Sequence, residues 1–416
     1  MTFSSRVTAC RICNGSISLI QNLGNFYSCG TFPSVGHDSP ELGVLELTIC
    51  TDCTLVQLSC NFDSTTLYTK SYGYRSSLND SMVAHLNEIA QNSMKFFKDF
   101  EQVNHLDIGS NDATLINLIK STHSNVSKVA PKRVTSTGVD PSGSGFKQFY
   151  TESELLIEPF NYNLAKELNT SFDLVTSIAM LYDLPDPTDF FNGIKFLLAN
   201  NGVWISEQSY LFSMIKNNAF DTICHEHIEY YSVSDIFNLC DKVGLEMFDV
   251  EFDDTNGGSF RVYIQHIGAK WPISERLRAV LRSELLRDKR KELQSMFERI
   301  NHIKNSTLDF LETSKDKGRE IHGYGASTKG NTLLQMFKID KELMPFIAEK
   351  NEDKFGKHTP GTKIPIVSED FSKALNPYAY LVLPWHFKRS IILRESEFIK
   401  KTDTRFVFPL PNFEIF

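Results

Sequence analysis

No stretch of this sequence stays apolar long enough to span a bilayer, and no basic run leads from the first residues into an apolar core with a small-residue cleavage site. Membrane insertion and export are therefore not expected. The cytoplasm, where thiols stay reduced, is the expected compartment. An excess of positive charge is missing as well: 43 Lys and Arg stand against 51 Asp and Glu, a formal charge of -8. That balance argues against broad electrostatic binding to nucleic acid. Internal repeats and low-complexity tracts are also absent. At 416 residues the chain is too long for one core, so about two to four domains are expected.

Four of the eight cysteines fall in two C-x-x-C pairs, Cys10-Arg11-Ile12-Cys13 and Cys50-Thr51-Asp52-Cys53. Each pair lets two thiolates reach one tetrahedral ion from a tight turn, which is the spacing of a structural zinc ribbon. Zinc held this way has no open coordination position, so it stabilises rather than catalyses. It adds folding free energy that so small a segment cannot draw from its own core. Two pairs of free thiols or two disulfides are the alternatives. Cys29, Cys60, Cys224 and Cys240 show no such spacing and read as free thiols. Many zinc ribbons bind nucleic acid, but no Lys/Arg stripe flanks these knuckles.

Beyond the cysteines comes an aromatic and polar segment, 67–77, after which apolar spacing turns helical from Asn79 to Leu86. Strands are expected at 104–108, 136–139, 172–178 and 202–206, with a helix from Thr114. Strands alternating with helices indicate a parallel, doubly wound sheet. Residues 274–317 contain neither Gly nor Pro and are rich in Leu, Glu, Lys and Arg, so they predict one or two long helices that link or buttress domains. A second strand-turn-helix at 320–334 and strands at 344–348 and 378–383 predict another α/β domain.

In a doubly wound sheet, ligands bind beyond the carboxyl ends of the strands. Asp107-Ile108-Gly109-Ser110-Asn111-Asp112 occupies such a place. It lacks the second and third glycines of G-x-G-x-x-G, and its carboxylates would repel a pyrophosphate. They suit the amino group and ribose hydroxyls of S-adenosylmethionine, with Asp140 at the tip of the next strand accepting from both hydroxyls. A plain acidic turn is the other reading. Further on, Cys224-His225-Glu226-His227-Ile228-Glu229 resembles H-E-x-x-H, but Glu229 stands where the second metal-binding histidine must be, so a metalloprotease is excluded. Histidine beside a carboxylate suits a general base near neutrality. On a helix His225 and His227 would point to nearly opposite sides, and the start of a surface helix is the alternative.

Taken in order, the Cys10/Cys13/Cys50/Cys53 ribbon, Tyr72-Gly73-Tyr74-Arg75-Ser76-Ser77, the 107–112 turn, Glu226-His227, Asn256-Gly257-Gly258-Ser259-Phe260-Arg261 and Gly323-Tyr324-Gly325-Ala326-Ser327-Thr328-Lys329 resemble the three-domain sugar C-methyltransferases over nearly the whole chain. The resemblance implies a zinc-binding ribbon domain (1–72), a Rossmann-like S-adenosylmethionine domain (73–250) and a second Rossmann-like α/β domain holding a nucleotide sugar (251–416). It implies structural Zn2+, S-adenosylmethionine as cofactor and a nucleotide-linked 4-keto-6-deoxy sugar, TDP-linked first, as substrate. It makes His227 the base, with His225 as the other candidate. Glu226 would orient the base or a sugar group, and Tyr74 would hydrogen-bond the reacting end. Asp107, Gly109, Asn111, Asp112 and Asp140 would hold the cofactor. Tyr324, Ser327, Lys329, Asn256 and Arg261 would hold the nucleotide sugar, with Lys329 on its diphosphate. The chain departs from the family pattern at Cys224, where Tyr is usual, at Ala179 and Asp183, which align with Asn and His, and at Ala113, where Gly is usual. Methylation at oxygen or nitrogen on the same scaffold, a nicotinamide oxidoreductase using Gly323-Tyr324-Gly325, and a non-catalytic zinc-ribbon protein are the competing functions. The sequence sets no oligomeric state, and a monomer satisfies it.

Overall fold

The structure, a computed structural model, describes residues 3–34, 36–37, 40–67, 75–125 and 133–416, with backbone alone at 64–65 and 123–125. Strands Gln102–Ile108, Arg133–Val139, Phe172–Ile178 and Leu198–Ser209 run parallel, and Glu154–Leu156 extends one edge. Side chains alternate across this sheet, so Val203 and Ile205 join the core on one face while Trp204 joins the core on the other. Helices cover both faces, as a parallel sheet requires.

Leu245–Asp253 and Ser259–His266 complete the other edge, with Ser259–His266 antiparallel to both its neighbours. The middle sheet therefore runs on to His266, past the boundary expected at residue 250. The cause is local. Asn256, Gly257 and Gly258 all have positive φ (56°, 96° and 118°), which turns the chain back on itself. The apolar run that follows then pairs into the sheet it has just left.

The cysteine segment forms an antiparallel sheet from Ile17–Tyr27, Leu42–Cys50 and Val56–Leu58. Its fourth strand, Glu229–Tyr230, comes from the histidine segment, with Glu229 opposite Gln57 and Tyr230 opposite Val56. The C-terminal unit carries five parallel strands in the order 366–368, 347–349, 321–324, 379–382, 405–408, with Glu414–Ile415 antiparallel at the edge.

The Gly- and Pro-free run forms Glu275–Glu284 and Lys289–Asp316. Along the longer helix Leu293, Met296, Phe297, Ile300, Ile303 and Leu311 recur at helical spacing and are buried. Residues 211–230 leave the middle sheet altogether. Phe212, Phe220, Ile223 and Ile228 share one core with Leu47 and Val56 of the N-terminal cysteine-bearing sheet and with Leu333, Phe337 and Leu383 of the C-terminal unit. All three units thus meet on the histidine segment. Among the described residues no helix is long and apolar enough to cross a membrane.

Candidate functional site

Cys10, Cys13, Cys50 and Cys53 bring their sulfurs within 4.8 Å of one another. Cys10 and Cys53 are 3.5 Å apart and Cys13 and Cys50 3.4 Å. These spacings rule out S–S bonds of about 2.0 Å. They fit the separation of about 3.8 Å that four Zn–S bonds of about 2.3 Å impose on a tetrahedron. Backbone N–H groups of Ile12, Gly15 and Asp52 point at the sulfurs of Cys10, Cys13 and Cys50 respectively, each at 3.4 Å. Four thiolates so held suit zinc. Between the first two ligands Arg11 turns inward, and its guanidinium donates to the carbonyls of Leu58 (2.9 Å), Cys60 (3.0 Å) and Ile228 (3.3 Å). The cysteine knuckle is therefore tied to the residue that follows His227. The remaining four cysteines are buried and free.

The turn after Gln102–Ile108 places Gly109, Asn111 and Ala113 at positive φ (76°, 47° and 59°). Asp140, at the carboxyl end of the neighbouring strand, accepts from Asn111 N (2.8 Å), Ser142 N (2.7 Å) and Ser142 Oγ (2.6 Å). Asp112 accepts from Ser77 N (3.1 Å) and Arg75 Nε (3.2 Å), and Asn111 Oδ1 accepts from Ser76 N (3.1 Å). Burial would raise the Asp112 carboxyl, but hydrogen bonds from Ser77, Thr114 and Arg75 outweigh it and hold the group below its usual value. Asp107 is different. It points between strands, accepts from Thr176 Oγ1 (2.6 Å), and burial pushes it up to about 7. Its place is beneath the turn rather than on it.

Tyr74 lies outside the described residues. The chain around His225 and His227 is not helical: a short 3-10 turn, Phe220–Thr222, leads through bends into Glu229–Tyr230. His227 is half-buried, and its Nδ1 lies 2.9 Å from the Thr222 carbonyl. A carbonyl only accepts, so Nδ1 carries the proton and Nε2 keeps its lone pair free. Burial first, then the charge of Lys329, lowers this imidazole to about 4, so it is neutral near pH 7. The Tyr182 ring packs edge-on at 4.4 Å, and His227 lines a small pocket with Tyr182, Ser209, Tyr210, Thr222 and Tyr230.

The other members of the cluster face elsewhere. His225 is enclosed by Phe3 and Phe62, with Nε2 3.4 Å from the Gly43 carbonyl. Glu226 packs on Gly30, where an added Cβ would come within 2.3 Å of Oε1, so only glycine admits the carboxylate. Burial raises Glu226 above the usual range, and its Oε2 has no hydrogen-bond partner among the described residues. Cys224 is a fully buried thiol raised well above normal by burial and by Glu226, as suits a packing residue rather than a nucleophile.

Of the expected nucleotide-sugar contacts, Tyr324 is buried, donating to Glu395 Oε1 at 2.8 Å among Tyr380 and Phe406. Ser327 caps the Thr328–Phe337 helix, accepting from Gly330 N at 3.0 Å. Arg261 lies in the middle sheet, its Nε 2.8 Å from Glu207 Oε2, while Glu207 Oε1 meets His85 Nε2 at 2.5 Å. Strand pairing puts Arg261 directly opposite Glu207. That makes it a buried ion pair inside the sheet and not a residue of the C-terminal unit. Lys329 is half-buried and points at the middle unit, donating to the Asn256 carbonyl at 2.7 Å.

The sequence reading passed over Asp221, Trp385 and His386, which gather at the same junction. The Trp385 indole donates to Asp221 Oδ2 at 2.8 Å, and His386 is lowered well below its usual value by burial and by Lys329. The available signal was position. Trp385 and His386 come just after the carboxyl end of the parallel strand Ala379–Val382, where such folds bind ligands.

Residues 82–250 match a methyltransferase domain, and residues 254–411 match the C-methyltransferase C-terminal domain. Over 98% of this chain and 96% of that protein, the sequence is 26% identical to the C-methyltransferase NovU of Streptomyces niveus. Among solved structures, the mitomycin 7-O-methyltransferase MmcR is 13% identical, over 46% of this chain and 55% of that one, with a TM-score of 0.35. The plantazolicin methyltransferase BpumL in complex with SAH is 9% identical, over 45% of this chain and 86% of that one, also at 0.35.

Proposed function

We propose, from the premise that the chain belongs to the C-methyltransferase family, that it methylates a carbon beside the ketone of a nucleotide-linked 4-keto-6-deoxy sugar, with S-adenosylmethionine as donor. One observation carries the reading. The segment after Phe172–Ile178 touches both halves of the site: Met180 covers Gly109, where an added Cβ would lie 2.9 Å from its Cγ, and Tyr182 packs on His227. A free imidazole nitrogen therefore stands close to the turn suited to the methyl donor.

S-adenosylmethionine, bound at 109–112 and Asp140, would supply an electrophilic methyl. His227 Nε2 would take the proton from the carbon next to the ketone, the Thr222 carbonyl holding the ring in the required tautomer. Mass spectrometry of TDP-, GDP- and CDP-linked keto sugars incubated with S-adenosylmethionine in deuterated water tests this. Gain of one methylene with deuterium exchange at the carbon beside the ketone is expected. Methyl gain with every C–H beside the ketone retained would mean attack by oxygen or nitrogen instead.

Asp140→Ala is expected to weaken S-adenosylmethionine binding by roughly 1.5–3 kcal/mol, the range for hydrogen bonds to an ionised group. Calorimetric titration measures it. Unchanged affinity, or a preference for NAD, would remove the cofactor assignment.

A further inference from the structure

Lys329 stands in the first turn of a helix whose end is already capped by Ser327, and its side chain leaves that end for the middle unit. The same helix packs on the Phe220–Thr222 turn, with Phe337 stacked on Phe220 at 5.4 Å. That turn holds the candidate base through the Thr222 carbonyl. Asp221, at its centre, is fully buried; Trp385 occupies one carboxylate oxygen, and the other has no hydrogen-bond partner among the described residues. Gly257, next to Asn256, lies against the Trp385 ring, so the loop that receives Lys329 and the residue that holds Asp221 are in contact. Lys329, Asp221 and His227 thus gather where the two units pack, with Lys329 and His227 each half-buried and Lys329 acting electrostatically on both of the others.

We propose that Lys329 is the electrophile that stabilises the enolate, its ammonium donating to the ketone oxygen of the substrate, and not a contact to the diphosphate. This rests on the reading of His227 as base. His227 Nε2 removes the proton, the C–H electron pair becomes the enolate double bond, and the carbonyl π pair moves onto oxygen beside the Lys329 charge. S-adenosylmethionine held at the 109–112 turn would supply the methyl, so that the carbonyl would reform as the enolate carbon takes it and the S–CH3 electron pair would leave on sulfur. The imidazolium then gives its proton to water. Lys329 remains protonated throughout: the Asn256 carbonyl uses one of its three N–H donors and two are left for the ketone. Burial lowers the lysine from its usual value, and the Asp221 carboxylate opposes that shift.

The two roles separate in Lys329→Met, measured with the keto-sugar set and with TDP, GDP and CDP alone. Loss of an oxyanion donor is expected to slow deuterium exchange at saturating sugar by about 10²–10³-fold, with affinities for the nucleoside diphosphates unchanged. Lys329→Arg, which keeps the charge, should recover part of the rate. The acid limb of the exchange profile should also move to higher pH in Lys329→Met. Among the described residues Tyr182, Tyr210, Glu229 and Tyr230 line the pocket with His227, Asp221 lies on the Phe220–Thr222 turn, and Lys329 is the cation that lowers the imidazole. Nucleotide binding by the variant shows that it has folded. Weaker binding of the nucleoside diphosphates with exchange intact at saturation would overturn the inference and leave the proposed reaction standing. A native protein that exchanges no keto sugar would overturn both.

Discussion

His227→Asn is expected to slow turnover by about 10²–10⁴-fold while S-adenosylmethionine and nucleotide still bind, because a positioned general base contributes that much to a proton abstraction. Asparagine keeps a polar group near the Thr222 carbonyl but has no basic nitrogen where Nε2 stood. The imidazole is lowered to about 4 by burial and by Lys329. It is therefore unprotonated and competent at neutral pH, and turnover should fall only as the pH drops towards about 4. His225→Asn should act on stability instead, since that ring is closed in by Phe3, Phe62 and the Gly43 carbonyl. Steady-state rates and deuterium exchange for the two variants decide the matter. A reversed pattern would move the base to His225; exchange unaffected in both would move it out of the segment, with Tyr74 or Asp183 next in line.

Loss of the metal is expected to have the largest effect on folding. Structural zinc contributes about 10–16 kcal/mol of apparent binding free energy in small peptides, and there binding is folding. One zinc per chain, held by the four knuckle cysteines, is expected from metal analysis of protein purified without added zinc. Cys50→Ser should lose it and lower the folding yield steeply. The damage should also reach the candidate site. Leu58 N donates to the Ile228 carbonyl at 2.8 Å, Arg11 donates to the same oxygen, and Glu229–Tyr230 pairs with the ribbon sheet. Hydrogen exchange should therefore lose protection at 228–230 in whatever fraction of the variant folds. A well-ordered native protein without metal, or full protection of that strand in Cys50→Ser, would contradict this coupling.

The sequence by itself determined the two cysteine knuckles, the strand-turn-helix around Gly109, the expected strand at 172–178, the long helices after Ser274 and the second α/β unit. Each follows from chemistry repeated over a few residues: ligand spacing, hydrophobic period, and the capping and turn residues that bound an element. Only the tertiary structure decided that Ser259–His266 belongs to the middle sheet, because a strand's partner is chosen by complementary surface far along the chain. The same pairing set Arg261 opposite Glu207 and withdrew it from the nucleotide-sugar contacts. Three consecutive residues, His225, Glu226 and His227, share one motif yet face a phenylalanine pocket, the Gly30 backbone and an open pocket. That division arises because the segment bends between three packed units instead of forming the helix or surface turn its local sequence allows. Asp221, Trp385 and Lys329 lie more than fifty residues from one another or in different units, and their meeting beside His227 follows from how those units pack.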